Sequence, residues 1–222
     1  MLNVFTFLFA AIFLLSACSK TSRIVPETDS KPFRLERLLV LPFQDMSIIY
    51  GEHVSVRCPL SGNVLTTGKV EIGAAEILTK HLIDLVKHHK SIELIPSSQA
   101  QGVFSSLLSG TEKELSEREL YIRTGRSLGA DAVLIGYVYR FRERYGTEYS
   151  AGLPASVAFD IDLLHVDNGH ILWSGHFDET QRSLTENIFQ IGKFIKRKGR
   201  WITAKEMAIF GLEKVLQTFP TP

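Results

Sequence analysis

Residues 154–181, PASVAFDIDLLHVDNGHILWSGHFDETQ, hold two strand-like runs on either side of Asp167-Asn168-Gly169. Asn-Gly between apolar runs is a strong short-range hairpin signal, because both residues tolerate the positive φ that a tight turn requires. Asp160 and Asp162 alternate with Ile161 and Leu163, so the hairpin is expected to keep one face dry and show the other to water.

Upstream the pattern is different. In RLERLLVLPFQDMS, Leu38 to Phe43 is an apolar run interrupted only by Pro42, which predicts a buried strand ending at or near the proline. Residues 48–68, rich in Gly, Pro, Ser and Asn, are expected to form a long loop. In KVEIGAAEILTKHLIDLVKHH, Val70, Ala74, Ile77, Leu78, Leu82, Leu85 and Val86 fall at helical spacing and predict an amphipathic helix lying on a sheet. Lys87, His88 and His89 close it, where cations suit the negative end of the helix. That reading is preferred to a metal site, since His81 and His88 lie two turns apart with no Cys or Glu pair to complete a ligand set.

SIELIPSS then supplies a short strand, a helical stretch follows to Leu108, and residues 111–141 give another helix and a strand from Ala132 to Tyr139, with Gly129 as the helix stop. Strand, helix, strand, helix, strand implies crossovers that set strands side by side under helices. A last helix, TAKEMAIFGLEKVLQTF, offers Ala204, Met207, Ala208, Phe210, Leu212 and Val215 to the core, with Thr203 and Glu206 spaced as a capping box. The expected fold is α/β of mixed α+β type. A central mixed sheet of about five strands carries packed helices, and the chain ends in a β-hairpin and a C-terminal helix.

The amino-terminal end has another purpose. Met1 to Ala17 carries no charged side chain, but Lys20 and Arg23 follow too soon for a span of about 20 apolar residues. A secretory signal with small residues before its cut fits better. Leu15-Ser16-Ala17-Cys18 resembles the lipobox of bacterial lipoproteins. That resemblance implies signal-peptidase recognition of Leu15, Ser16 and Ala17, cleavage before Cys18, and acylation of Cys18 to anchor the chain in a lipid bilayer. Several acyl chains on one residue make a lasting anchor, at roughly 0.8 kcal/mol per buried CH₂. Because Ser19 rather than Asp follows, the expected address is the periplasmic face of the outer membrane. An ordinary cleaved signal with an incidental cysteine is the alternative. The organisation is then a signal peptide at 1–17, the lipidated cysteine and a flexible tether at 18–34, and one α/β domain at 35–219. A tether of this length spans roughly 20–25 Å, which keeps the domain close to the membrane.

The remaining composition is that of a globular domain, with 45% hydrophobic and 22% charged residues. Lys and Arg total 25 against 24 acids, so no electrostatic footprint for nucleic acid exists. With Cys18 acylated, Cys58 has no partner and is read as a small buried hydrophobe rather than a nucleophile.

RLLVLPFQD, SIELIPSSQ, GRSLGADAVLIGYVYRF and DIDLLHVDNGHILWSGHFDE, followed by a last helix, together resemble a domain shared by three groups of envelope proteins. These are the TolB amino-terminal domain, the curli-secretion lipoproteins and the lipoproteins that activate penicillin-binding proteins. The likeness covers 36–217, and LGADAVLIGYV with the hairpin ending in Trp173 carries most of it. It implies a mixed sheet with packed helices and work done by binding. Two departures matter. A pore would need strands of about 9–11 alternating residues, whereas RFRERYGTEYS is heavily charged and IFQIGKFI is short. The penicillin-binding-protein activators reach through the wall on a long linker, and this tether is short.

No nucleophile elbow, His-Glu-x-x-His, Walker loop or dinucleotide fingerprint occurs, so no catalytic residue, metal ligand or cofactor is assigned. Asp160 with Asp162, and Asp178 with Glu179, are read as hydrated surface acids rather than an acid/base pair. Gly125 and Gly129 are read as packing a helix end. In GKFIKRKGRW, the cations Lys193, Lys196, Arg197, Lys198 and Arg200 stand beside Phe194, Ile195 and Trp201. Such a cluster suits anionic headgroups or an acidic partner, with a solvated loop as the plainer account. Three functions stay open: a noncatalytic lipid-anchored adaptor or assembly factor for an envelope protein, a subunit of an oligomeric secretion or export assembly, and an unrecognised envelope hydrolase. A homo-oligomer is compatible with the first two.

Overall fold

The computed structural model describes residues 34–88, 91–110, 115–147, 151–181 and 201–220. Its centre is a mixed sheet. Strand β1 (Arg37–Val40) pairs in parallel with β5 (Glu93–Ile95) on one side and β6 (Ala132–Arg142) on the other. Strands β7 (Tyr145–Gly146) and β8 (Ala151–Leu153) form a separate small antiparallel pair. The hairpin strands β9 (Ser156–His165) and β10 (Ile171–Thr180) add antiparallel to β6, giving the order β10-β9-β6-β1-β5. A two-residue strand β2 (Gln44–Asp45) lies along β6 beyond Pro42.

Alternation along the strands divides the core in two. Leu38, Val40, Leu134, Phe159, Ile161 and Leu163 point to one face. That face is covered by α2 (Ala74–Val86), through Ala74, Leu78, Leu82 and Val86, and by α5 (Ala204–Leu216), through Met207, Ala208, Leu212 and Val215. Leu39, Leu41, Val133, Ile135, Tyr137, Ala158 and Leu164 point to the other. There α3 (Ser97–Gly110) and α4 (Glu117–Ser127) pack, Phe104 meeting Tyr121 edge to face at 6.2 Å. Strands β6 and β9 are buried on both faces along almost their whole length, and β6 is accordingly almost continuously apolar through Phe141.

Most boundaries follow local chemistry. Thr203 and Glu206 form the expected capping box, and Gly129, at φ 66°, takes the left-handed position that ends α4. The hairpin turn is longer than a two-residue Asn-Gly turn. The His165 and Gly169 amides donate to the His170 and His165 carbonyls across a four-residue loop, Gly169 sits at φ 70°, and Asn168 Oδ1 accepts from the His170 amide at 3.0 Å.

Four expectations are corrected. Residues 48–68 are not one long loop: α1 (Met46–Tyr50), capped by Asp45, precedes a small antiparallel ribbon of β3 (Ser55–Arg57) and β4 (Val64–Thr66). Each three-residue strand turns its middle side chain, Val56 or Leu65, into the core, which is enough to hold the ribbon. Val70 belongs to an isolated bridge with Phe141, and α2 starts only after Gly73, whose φ of 82° breaks the segment. Phe210 lies 41% exposed, and Gly211 takes the core position because Phe177 leaves no room for a side chain there. Finally, Asp160 and Asp162 are not on a wet face. Both are fully buried, because the β3–β4 ribbon covers the side of β9 from which they project.

Candidate functional site

The buried acids organise the most unusual cluster of the described residues. The β3–β4 turn is closed by the Cys58 amide donating to the Asn63 carbonyl and the Gly62 amide donating to the Cys58 carbonyl. It hangs its polar side chains over β9. Ser61 Oγ donates to Asp160 Oδ2 at 2.6 Å, and the Asn63 amide nitrogen donates to both Asp160 oxygens at 3.2 and 3.3 Å. The Cys58 thiol donates to Asp162 Oδ2 at 3.3 Å. Asp162 Oδ1 is buried with no hydrogen-bond partner.

Strand β6 adds a sixth side chain. The β6–β9 register runs Val138 to Phe159 and then Arg140 to Ala158, so Tyr139 is an extra residue in β6. Bulges of this kind re-aim side chains. Regular alternation sets Tyr139 beside Ile135 and Tyr137 in the ribbon-side core, and the extra residue shifts facing only beyond it, where Phe141 joins the opposite core. The Tyr139 hydroxyl is buried without a hydrogen-bond partner. Its electrostatic neighbours are Cys58, Asp160 and Asp162.

The electrostatics follow from burial. Desolvation pushes the Cys58 thiol up to about 12, with the Asp162 charge adding to it against the lowering by a Ser61 hydrogen bond. Desolvation also raises Asp162 to about 6, with the neighbouring Asp160 charge as the second cause. Tyr139 is raised far above its usual range, mainly by burial. A thiol held this high is no nucleophile at neutral pH.

Two further networks brace the same region. Tyr121 and Tyr137 both donate to Glu117 Oε1, at 2.5 and 3.2 Å, and Gln44 Nε2 donates to Tyr121 Oη at 2.5 Å, tying β2 and α4 to β6. Arg140 donates through Nε to Ser156 at 2.5 Å and through Nη1 to the Thr66 carbonyl at 3.0 Å, and it pairs with Asp178. Neighbouring strand residues point to opposite faces, so Asp178 and Glu179 form no acid/base pair.

The other residues singled out in the sequence fare as follows. Leu15, Ser16, Ala17 and Cys18 lie outside the described residues, as do Lys193, Phe194, Lys196, Arg197, Lys198 and Arg200. Trp201 is half-buried, and its carbonyl accepts from Arg144 at 2.6 Å. Cys58 is buried as expected. His88 Nδ1 lies 2.7 Å from the Asp84 carbonyl at the end of α2. Gly125 packs against Val133 and Val166. What sequence reasoning missed is the cover over the acids. The available signal was the pair of short runs SVR and VLT flanking Cys58-Pro59-Leu60-Ser61-Gly62-Asn63.

No described helix is long and apolar enough to cross a membrane. At the surface, Ile48, Ile49 and Tyr50 of α1 are 82%, 60% and 47% exposed.

No protein-family model matches the chain, and no curated protein is matched by it. Solved structures to which it is similar include the PelC dodecamer from Paraburkholderia phytofirmans, at 14% identity and TM-score 0.44, over 84% of this chain and 90% of that one. The LpoB C-terminal domain from Escherichia coli is similar at 18% identity and TM-score 0.41, over 68% and 87% of the two chains. The lipoprotein GNA1162 from Neisseria meningitidis is similar at 16% identity and TM-score 0.41, over 73% and 93%.

Proposed function

We propose that the chain is a noncatalytic lipoprotein of the cell envelope, held at the periplasmic face of the outer membrane through acylated Cys18, whose domain at 35–219 docks another envelope protein as an adaptor or assembly factor. The observation that carries the docking role is the display on α1. Ile48 and Ile49 are more than half exposed with Tyr50 beside them, on a five-residue helix whose start is pinned by Asp45 accepting from the Ser47 amide at 2.8 Å. Large aliphatic and aromatic side chains held outward on a fixed turn suit the centre of an interface. The lipid anchor rests on Leu15-Ser16-Ala17-Cys18.

Two experiments test the two halves separately. Cys18→Ala is expected to abolish incorporation of labelled palmitate, and undiminished labelling removes the anchor. A photo-crosslinking amino acid at Ile48 in living cells is expected to yield a discrete adduct that Ile49→Asp weakens at unchanged thermal stability. An adduct of twice the chain's own mass would mean self-assembly instead. No adduct at all would leave α1 without a docking role.

A further inference from the structure

We propose that Cys58, Asp160 and Asp162 form a binding site for a divalent transition metal, with Zn²⁺ the ion best suited to it. One ligand atom from each residue lies within 4.8 Å of the others, and all three residues are buried. Cys58 Sγ and Asp162 Oδ2 are 3.3 Å apart. In a tetrahedral zinc site, with Zn–S about 2.3 Å and Zn–O about 2.0–2.2 Å, the corresponding edge is about 3.5 Å. Closing on a metal therefore asks for movements of only a few tenths of an ångström between these two atoms.

Independent observations point to a missing ligand. Asp162 Oδ1 and the Tyr139 hydroxyl are buried with no hydrogen-bond partner, and Tyr139 lies on the ribbon-side face of β6 with Cys58, Asp160 and Asp162 as its electrostatic neighbours. Buried polar atoms are almost always satisfied, so two orphans at one place imply a group that would satisfy them. No Lys, Arg or His among the described residues forms an ion pair with Asp160 or Asp162, although both carboxylates are fully buried. A cation would neutralise them. The surroundings already resemble an outer ligand shell, with Ser61 and Asn63 donating to Asp160 and so fixing its orientation.

The donor set selects the ion. Ca²⁺ and Mg²⁺ take oxygen ligands and disfavour sulfur, whereas one thiolate with two carboxylates suits borderline Zn²⁺ and its spectroscopic substitute Co²⁺. Binding would expel the thiol proton that Cys58 now donates to Asp162, so one proton or more leaves per metal bound. The site does not depend on the docking role proposed above.

The test uses the full chain in detergent, stripped with a chelator and dialysed against Co²⁺ alone. One Co²⁺ per chain is expected, with a thiolate-to-cobalt charge-transfer band that Zn²⁺ bleaches. Cys58→Ser should lose the band, which also separates Cys58 from Cys18, and the near-isosteric Asp162→Asn should weaken binding at least tenfold while keeping a native circular dichroism spectrum. Should both variants unfold, the unaltered chain still decides, because saturating Zn²⁺ is expected to raise its Tm by about 5 °C or more. Absence of Co²⁺ binding, an unchanged band in either folded variant, or an unmoved Tm overturns the proposal.

Discussion

The Cys58 thiol donates to Asp162 Oδ2 at 3.3 Å, joining the turn of a small ribbon to a central strand 104 positions away. Burial removes the thiol from solvent and holds its proton on, at about 12 against an ordinary 9.0. At pH 8 the thiolate fraction is then about a thousandfold below that of the unfolded chain, and the thiolate is the reacting species. In the presence of a chelator, Cys58 is therefore expected to react with Ellman's reagent at least about tenfold more slowly when folded than in guanidinium, the greater nucleophilicity of a high-pKa thiolate offsetting part of its scarcity. Similar rates in the two conditions would show that the ribbon does not close over it.

Asp162 gives the same region a pH dependence of unusual sign. Its carboxyl is raised from 3.8 to about 6, chiefly by burial, so the folded state binds a proton more tightly than the unfolded state does. Stability from this group is fully present below about pH 4 and is lost as pH rises through about 6, an effect on the order of 3 kcal/mol. Ordinary paired carboxylates work in the opposite direction, so the measurement is a difference. In urea titrations of chelator-treated protein, Asp162→Asn is expected to gain on the unaltered chain between pH 4 and 7. Parallel curves would mean that Asp162 is solvated.

Gly125 tests the packing of α4 on the sheet. A Cβ there would stand 2.7 Å from Val133 Cγ2 and 2.7 Å from Val166 Cγ2, both in the buried core. Alanine is favoured over glycine in a helix by about 1 kcal/mol, but overpacking costs about 1–3 kcal/mol. Gly125→Ala is thus expected to lower the Tm despite its better helix propensity. A raised Tm would show that α4 can lift away from β6 without loss.

These cases also mark what was legible in the sequence. The strands at 37–40 and 132–142, the hairpin, α2 and the capped α5 were readable because their signals are local: apolar runs, a 3.6-residue period, Gly129, and Thr203 with Glu206. The burial of Asp160 and Asp162 was not readable, since their alternation is the same whether water or a ribbon lies over them. The ribbon is held by one buried side chain per strand, below what periodicity can register. Tyr139 reaches the cluster by simple alternation with Tyr137, whereas the one-residue bulge beyond it, which turns Phe141 to the opposite core, has no Gly to mark it. Local pattern found the layers, and the site arose from contacts about 100 residues apart, which no window along the chain contains.

Asp131 illustrates a contact of that long-range kind beside a readable motif. Within Leu128-Gly129-Ala130-Asp131, the glycine ends α4 and the aspartate begins the path into β6. Its Oδ2 accepts from the amides of Glu36 at 2.9 Å and Arg37 at 2.7 Å, while its own amide donates to the Arg37 carbonyl at 2.9 Å. Its carbonyl accepts from Val166 at 3.1 Å, so one residue fixes the starts of β1 and β6 and the end of β9. Hydrogen bonds to a charged acceptor contribute about 1.5–3 kcal/mol each, and removing the acceptor leaves two amides to find water. Asp131→Ala is expected to cost about 2–4 kcal/mol in urea unfolding, and Asp131→Asn, which keeps a neutral oxygen in place, about half as much. The order of the two variants is the sharper observation: equal losses would mean that the carboxylate acts only by its charge, and a loss under about 0.5 kcal/mol for alanine would mean that β1 is positioned by its parallel partners alone.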